Sequence, residues 1–118
     1  MQTNLVAKRI VAPIHLPDGA TMVNLKAYIN DFSTAVNLRV TLYRKNLLDN
    51  FFADNYGSVT STGSAGLDLY QSSIFGNIVD NSLYTYYLSV GSDNFSVPFP
   101  GNAYLRSVII EYTKTVTQ

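Results

Sequence analysis

Apolar and polar residues alternate with a period of two along most of this chain, and this period limits the fold more than any other feature of its sequence. Successive side chains of a β-strand point to opposite faces of a sheet, so an alternating segment predicts a strand with one buried face. The apolar positions are Val23, Leu25, Ala27 and Ile29 in one such segment and Leu38, Val40 and Leu42 in the next. Both segments are therefore predicted to be half-buried strands.

Four more segments favour strands, namely residues 5–15, 67–75, 83–90 and 104–112. Pro13 lacks an amide hydrogen for a strand ladder, which predicts that the first of them lies at a sheet edge or has a bulge near its end. Pro17, Asp18 and Gly19 follow it with the chemistry of a tight turn. Since no segment carries a helical apolar stripe, we predict one all-β domain over residues 1–118, a β-sandwich or jelly roll of about eight antiparallel strands.

The segment 104–112 carries apolar residues on both of its predicted faces. Strict alternation places Leu105 and Ile109 on one face and Val108 and Ile110 on the other. A strand of this kind is covered on both sides. One cover is the core of the domain, and the second is predicted to be a partner subunit, so we expect a homo-oligomer, with a trimer as its form.

Charged residues are scarce and balanced, which excludes several classes of partner. They make up 14% of the chain, with eight basic and eight acidic residues, so no net field attracts nucleic acid or an anionic membrane. The chain has no Cys, and therefore no disulfide or thiolate metal site. No segment is apolar for long enough to predict insertion into a membrane. Hydroxyl and amide side chains must cover the surface instead, as is common in secreted β-modules.

No arrangement in the sequence predicts catalysis, and we expect that the protein is not an enzyme. His15 is the only histidine, and no strained nucleophile turn accompanies it. Most acidic residues are Asp in turn-like contexts, and four of them form the pairs Asp49-Asn50, Asp54-Asn55, Asp80-Asn81 and Asp93-Asn94. Such pairs stabilise turns through their own side chains. The alternative is a structural calcium site, because calcium takes oxygen ligands of this kind; no other cofactor is expected.

Tyrosine is the residue type that most suggests a ligand. The alternation places Tyr28, Tyr43 and Tyr87 on faces opposite the aliphatic core residues. Exposed aromatic rings beside Asp and Asn side chains bind sugars, since the ring covers C–H groups while the polar groups bond hydroxyls. We therefore take Tyr28, Tyr43, Tyr87, Asp80 and Asn81 as candidate ligand-binding residues. The alternative is cross-strand stacking that only stabilises a sheet.

Five motifs in order along the chain resemble a module found in uncharacterised bacterial secreted and cell-surface proteins. They are APIHLPDGA at residues 12–20, DFS at 31–33, LRVTLYR at 38–44, VDNSLYTYYL at 79–88 and VIIEYT at 108–113. The resemblance covers most of the chain and implies a β-sandwich. Modules of this kind lie at the ends of longer surface or fibre-like proteins, which implies a role in assembly or adhesion.

Two functions follow as expectations. The first is a non-catalytic module, extracellular or at the cell surface, that acts in assembly or adhesion and associates with copies of itself. The alternative is a carbohydrate-binding module that uses exposed tyrosines and Asp-Asn loops to bind glycans.

Overall fold

The computed structural model describes residues 9–32, 37–48, 53–63, 66–74, 78–92 and 103–114. These residues form β1 (Arg9–Ile14), β2 (Thr21–Asp31), β3 (Leu38–Asn46), β4 (Ala53–Thr60), β5 (Gly66–Ser73), β6 (Tyr84–Ser92) and β7 (Ala103–Thr113). The prediction of an all-β chain is confirmed, but the described strands number seven rather than about eight. β4 is the described strand that none of the six predicted segments covers.

The strands form two antiparallel sheets of unequal size. The four-stranded sheet has the order β1-β6-β3-β4, and the three-stranded sheet has the order β5-β2-β7. β1 lies at a sheet edge, which is one of the two positions predicted from Pro13. The predicted turn before β2 also forms, and Gly19 adopts a φ of 81° there, a conformation that favours glycine.

Both sheets contribute side chains to one hydrophobic core. The predicted inward residues of β3, Leu38, Val40 and Leu42, are buried, and they meet Leu25 and Ile29 of β2. On β6, Tyr86, Leu88 and Val90 are buried, and Tyr84 packs against the same core. No helix that could cross a membrane occurs in the part of the chain that the structure describes.

A β-bulge corrects the predicted face of Val23. The register of β2 against β7 shifts between Met22 and Asn24, so the alternation changes phase at this point. Met22 is fully buried, whereas Val23 is 38% exposed. Leu25, Ala27 and Ile29 lie beyond the bulge and are buried as predicted.

A second bulge corrects the predicted faces of β7. The register shifts where Tyr28 pairs with Ser107 and Ile29 pairs with Leu105, which leaves Arg106 as the extra residue. Leu105 therefore shares the core-facing side with Val108 and Ile110, and all three pack against the core. Ile109 remains on the outer face, where it is 44% exposed, so this face is less apolar than strict alternation predicts.

The apolar side of β5 points away from the core. Leu67 and Leu69 share a face, as the alternation predicts, but Leu67 is 58% exposed. Register explains this orientation, because buried Ala27 pairs with Tyr70 and so turns the tyrosine ring toward the core. The outer face of the three-stranded sheet thus carries Tyr28 beside Leu69.

Candidate functional site

The outer face of the four-stranded sheet carries two stacked aromatic rings. Tyr43 on β3 and Tyr87 on β6 are directly opposite each other in the strand register. Their ring centroids lie 5.2 Å apart with an angle of 21° between the ring planes. Both side chains are half-buried, so the pair forms a low platform on the sheet rather than two separate projections. Stacking of this kind orders the rings before any ligand arrives.

The strand register extends this platform on both sides. Pro13 of β1 lies opposite Tyr87, and Asn55 of β4 lies opposite Tyr43. The side-chain oxygen of Asn55 accepts a hydrogen bond from the Gly57 N–H at 3.0 Å, which holds the amide in place. The four side chains form a row across the sheet, with two aromatic rings between an aliphatic ring and an amide.

Tyr28 lies on the other sheet and does not join this row. It is 38% exposed on the outer face of the three-stranded sheet, between Leu69 and Ser107 in the register. The structure thus brings together two of the three candidate tyrosines. Sequence alternation predicted the outward orientation of all three, but it could not predict which rings lie on the same sheet.

Asp80 and Asn81 hold two loops together. The Asp80 carboxylate accepts hydrogen bonds from the Ser82 N–H at 3.0 Å and the Ser82 hydroxyl at 2.6 Å. Asn81 donates through its N–H to the Asp18 carboxylate and through its side-chain amide to the Leu16 carbonyl, each at 2.9 Å. The Asp-Asn pair at 80–81 therefore builds a turn. The prediction was wrong for Asp54-Asn55, which lies within strand β4, and the pairs at 49–50 and 93–94 lie outside the described residues.

The Asp80 turn should weaken in acid. The hydrogen bonds from the Ser82 hydroxyl and N–H favour the charged carboxylate, so the pKa of Asp80 lies below its ordinary value. These hydrogen bonds contribute fully to stability above the pKa that Asp80 has in the unfolded chain. Their contribution disappears as the pH falls through the lower pKa that Asp80 has in the folded chain. We expect the Ser82 amide resonance to shift with Asp80 protonation below about pH 4. The shift should be absent in Asp80→Asn, and an Asp80 pKa at or above its ordinary value would contradict the assignment.

Arg44 is a site residue that the sequence analysis missed. Its guanidinium lies 3.7 Å from the ring centroid of Tyr84 and 4.8 Å from that of Tyr56, and it pairs with the Asp54 carboxylate at 3.0 Å. Burial acts against the charge, but the hydrogen bond that Arg44 donates to the Asp54 carboxylate, together with the surrounding groups, outweighs it and raises the pKa of Arg44. The alternation did contain a signal, because Arg44 follows Leu42 in the core-facing phase of β3.

Two clefts flank β1. One, of about 430 Å³, lies between β1 and β7 and is apolar; its lining residues are Ile10, Ala12, Leu38, Val90, Ala103, Tyr104 and Leu105. The other, of about 330 Å³, has a mixed lining of Pro13, Ile14, His15, Asn81, Tyr84, Thr85 and Tyr86. His15 therefore lies near amide and phenol groups. Within the described ranges, no group of three or more His, Cys, Asp or Glu side chains could hold a metal ion.

Among known proteins, no family model, curated protein or solved structure matches this chain. The assignment of a function therefore depends on the geometry of the two outer sheet faces and of the apolar cleft.

Proposed function

We propose that this chain is a non-catalytic module that acts in assembly or adhesion, outside the cell or at its surface, by associating with copies of itself. The observation that carries the proposal is the apolar surface between β1 and β7. Ile10 and Tyr104 line the cleft there and are each 53% exposed. Apolar surface gathered in this way is characteristic of an interaction site.

A jelly roll is the fold type that we propose for these two sheets. Of the six connections between consecutive described strands, five pass from one sheet to the other, and β3 to β4 stays within a sheet. Jelly rolls combine two sheets through such crossings. The resemblance to bacterial surface modules points in the same direction and stays a prediction.

The non-catalytic part of the proposal is supported by what the buried and paired carboxylates do. Asp31 accepts a hydrogen bond from Ser61, Asp54 pairs with Arg44, and Asp80 caps its turn. Each of these carboxylates serves the fold. An activity lost on a single Asp→Asn change, in a variant that still folds, would contradict this assignment.

The mass in solution tests self-association. We expect a closed oligomer by light scattering across a concentration series that reaches high micromolar protein, with a trimer as the form predicted from the sequence. Burial of the exposed apolar side chains at the interface is the physical reason. A monodisperse monomer throughout the series would contradict the proposal.

Carbohydrate binding is the second candidate, and the Tyr43–Tyr87 platform is the observation that favours it. The two stacked rings present an ordered aromatic surface against which the C–H groups of a sugar can pack. Asn55 on one side of the platform and Lys45 and Thr85 in the next row of the register supply polar groups for hydroxyls. A structural role in cross-strand stacking would need none of these neighbours.

Substitution of either platform tyrosine distinguishes glycan binding from a purely structural role in cross-strand stacking. Tyr43→Ala and Tyr87→Ala should each weaken binding to a glycan identified on an array by about tenfold or more, because each removes half of the stacking surface. Tyr28→Ala is the matched control, since this ring lies on the opposite sheet and binding should not change. Equal losses in all three variants, or no glycan bound by the wild-type chain, would contradict the candidate.

A further inference from the structure

We propose that the outer face of the four-stranded sheet binds an acidic glycan, and that Lys45 and Arg39 contact its carboxylate or sulfate groups beside the Tyr43–Tyr87 platform. The inference depends on the carbohydrate-binding candidate and names the class of sugar that the platform takes. The observations that carry it are the distribution of charge between the two faces of this sheet and the positions of the two cations relative to the rings.

The four-stranded sheet separates charge between its two faces. Its strands contain four basic residues, Arg9, Arg39, Arg44 and Lys45, and one acidic residue, Asp54. Asp54 pairs with Arg44 at 3.0 Å on the side of the sheet that faces the core, where the guanidinium also contacts two tyrosine rings. In the described residues of these four strands, the outer face therefore carries no acidic residue.

Lys45 lies on the same outer face as the platform and close to it. It follows Tyr43 by two residues on β3 and lies opposite Thr85 of β6 in the register. This spacing places it about 7 Å from Tyr43 along the strand, within reach of a sugar that packs on the rings. Lys45 is half-buried, and no carboxylate in the described part of the chain pairs with it. Its charge can therefore act on a ligand.

Arg39 lies on this face beyond the other side of Tyr43. It precedes Tyr43 by four residues on β3, a distance of about 13 Å along the strand. Its Nε donates a hydrogen bond to the Thr60 hydroxyl at 3.3 Å, which holds the guanidinium on the outer face. A guanidinium presents several N–H donors in one plane, and this geometry matches the oxygens of an anionic group. A glycan that lies along β3 would thus cross the rings between two cations.

Charge complementarity favours an acidic sugar over a neutral one on this face. The chain as a whole has no net charge, so composition does not reveal this local excess of cations. Cations without neighbouring acids attract an anionic ligand, whereas a neutral sugar gains nothing from them. The aromatic rings pack against C–H groups in both cases. The cations should therefore decide between glycans of the same ring structure.

Three forms of one oligosaccharide test the inference on the full chain: a uronic-acid form, its carboxyl-reduced neutral form, and a sulfated derivative of the neutral form. Titration calorimetry measures the dissociation constant of each. We expect at least one acidic form to bind about tenfold more tightly than the neutral form at low salt, because contacts with charged groups add to the affinity. Added salt should reduce this difference, since it screens exposed charges.

Substitution of the cations locates the contact. Lys45→Gln and Arg39→Gln should each weaken binding of the preferred acidic form by about fivefold or more and leave binding of the neutral form unchanged. Arg106→Gln is the matched control, because it removes the same unit of charge from an exposed position on the other sheet, and it should change neither affinity. Thermal unfolding verifies that all three variants fold.

The outcomes distinguish this inference from the wider carbohydrate-binding candidate. A preference for an acidic form that falls in Lys45→Gln and Arg39→Gln but persists in Arg106→Gln supports the inference. Glycan binding with no preference for an acidic form, or a preference that either Lys45→Gln or Arg39→Gln retains in full, overturns it and leaves carbohydrate binding in place. A wild-type chain that binds no glycan overturns both.

Discussion

Leu25→Ala should lower the free energy of unfolding by about 3 kcal/mol, the largest effect that we expect from a single core substitution here. Leu25 is fully buried on β2, the central strand of the three-stranded sheet. It reaches toward β4 of the other sheet, since a side-chain carbon of Leu25 lies 3.8 Å from the position that a Cβ would take at Gly57. Truncation therefore leaves a cavity between the sheets, and urea unfolding followed by circular dichroism measures its cost.

Val23→Ala is the matched control for this experiment. Val23 lies two residues before Leu25 on the same strand, but the bulge at Met22 and Asn24 turns it outward. Its loss should cost no more than about 0.5 kcal/mol. Similar losses at Val23 and Leu25 would contradict the bulge, because strict alternation makes the two positions equivalent.

Ser61→Ala should lower the free energy of unfolding by about 2–3 kcal/mol, the second large effect. The Ser61 hydroxyl donates to the Asp31 carboxylate at 2.6 Å and accepts from the Leu38 N–H at 2.9 Å. Asp31, Leu38 and Ser61 are all buried. The substitution removes one hydrogen-bond donor from the Asp31 carboxylate and one acceptor from the Leu38 N–H, and both of these groups stay buried.

Ser58→Ala is a graded control on the same part of the chain. The Ser58 hydroxyl lies 3.1 Å from the hydroxyl of Thr41, a hydrogen bond between two neutral groups. Its removal should cost about 1 kcal/mol. Thermal and urea unfolding measure the free energy of unfolding of both variants. A decrease in Ser61→Ala no larger than that in Ser58→Ala would contradict the role assigned to the Asp31 carboxylate.

Alternation predicted most of the strands because burial acts on each strand locally. Leu38, Val40 and Leu42 are buried with the predicted period, and Pro13 lies at a sheet edge, one of the two positions that its missing amide hydrogen predicts. The same rule was wrong at Val23 and Leu105, where bulges in β2 and β7 change the phase. A bulge depends on the partner strand, so nothing in the local pattern indicates it.

The candidate site, too, was predictable only in part from the sequence. That Tyr28, Tyr43 and Tyr87 point away from the core follows from their positions in alternating segments. That Tyr43 and Tyr87 stack at 5.2 Å depends on the register of β3 against β6, two strands separated by more than 35 residues of sequence. The contact of Arg44 with Tyr84 depends on the same pairing of distant strands, whereas Tyr56 lies on β4, the next strand along the chain.

The sequence by itself determined that this protein is an all-β chain with little charge. Composition can be counted directly, and the alternation that predicts a strand depends only on residues close together in the sequence. The tertiary structure alone decided which faces meet. It placed Leu67 outside and Tyr70 inside, stacked two tyrosines from different strands, and left β7 at the edge of the smaller sheet. The physical reason is that strand register and sheet order arise from hydrogen bonds between distant segments, which no local pattern specifies.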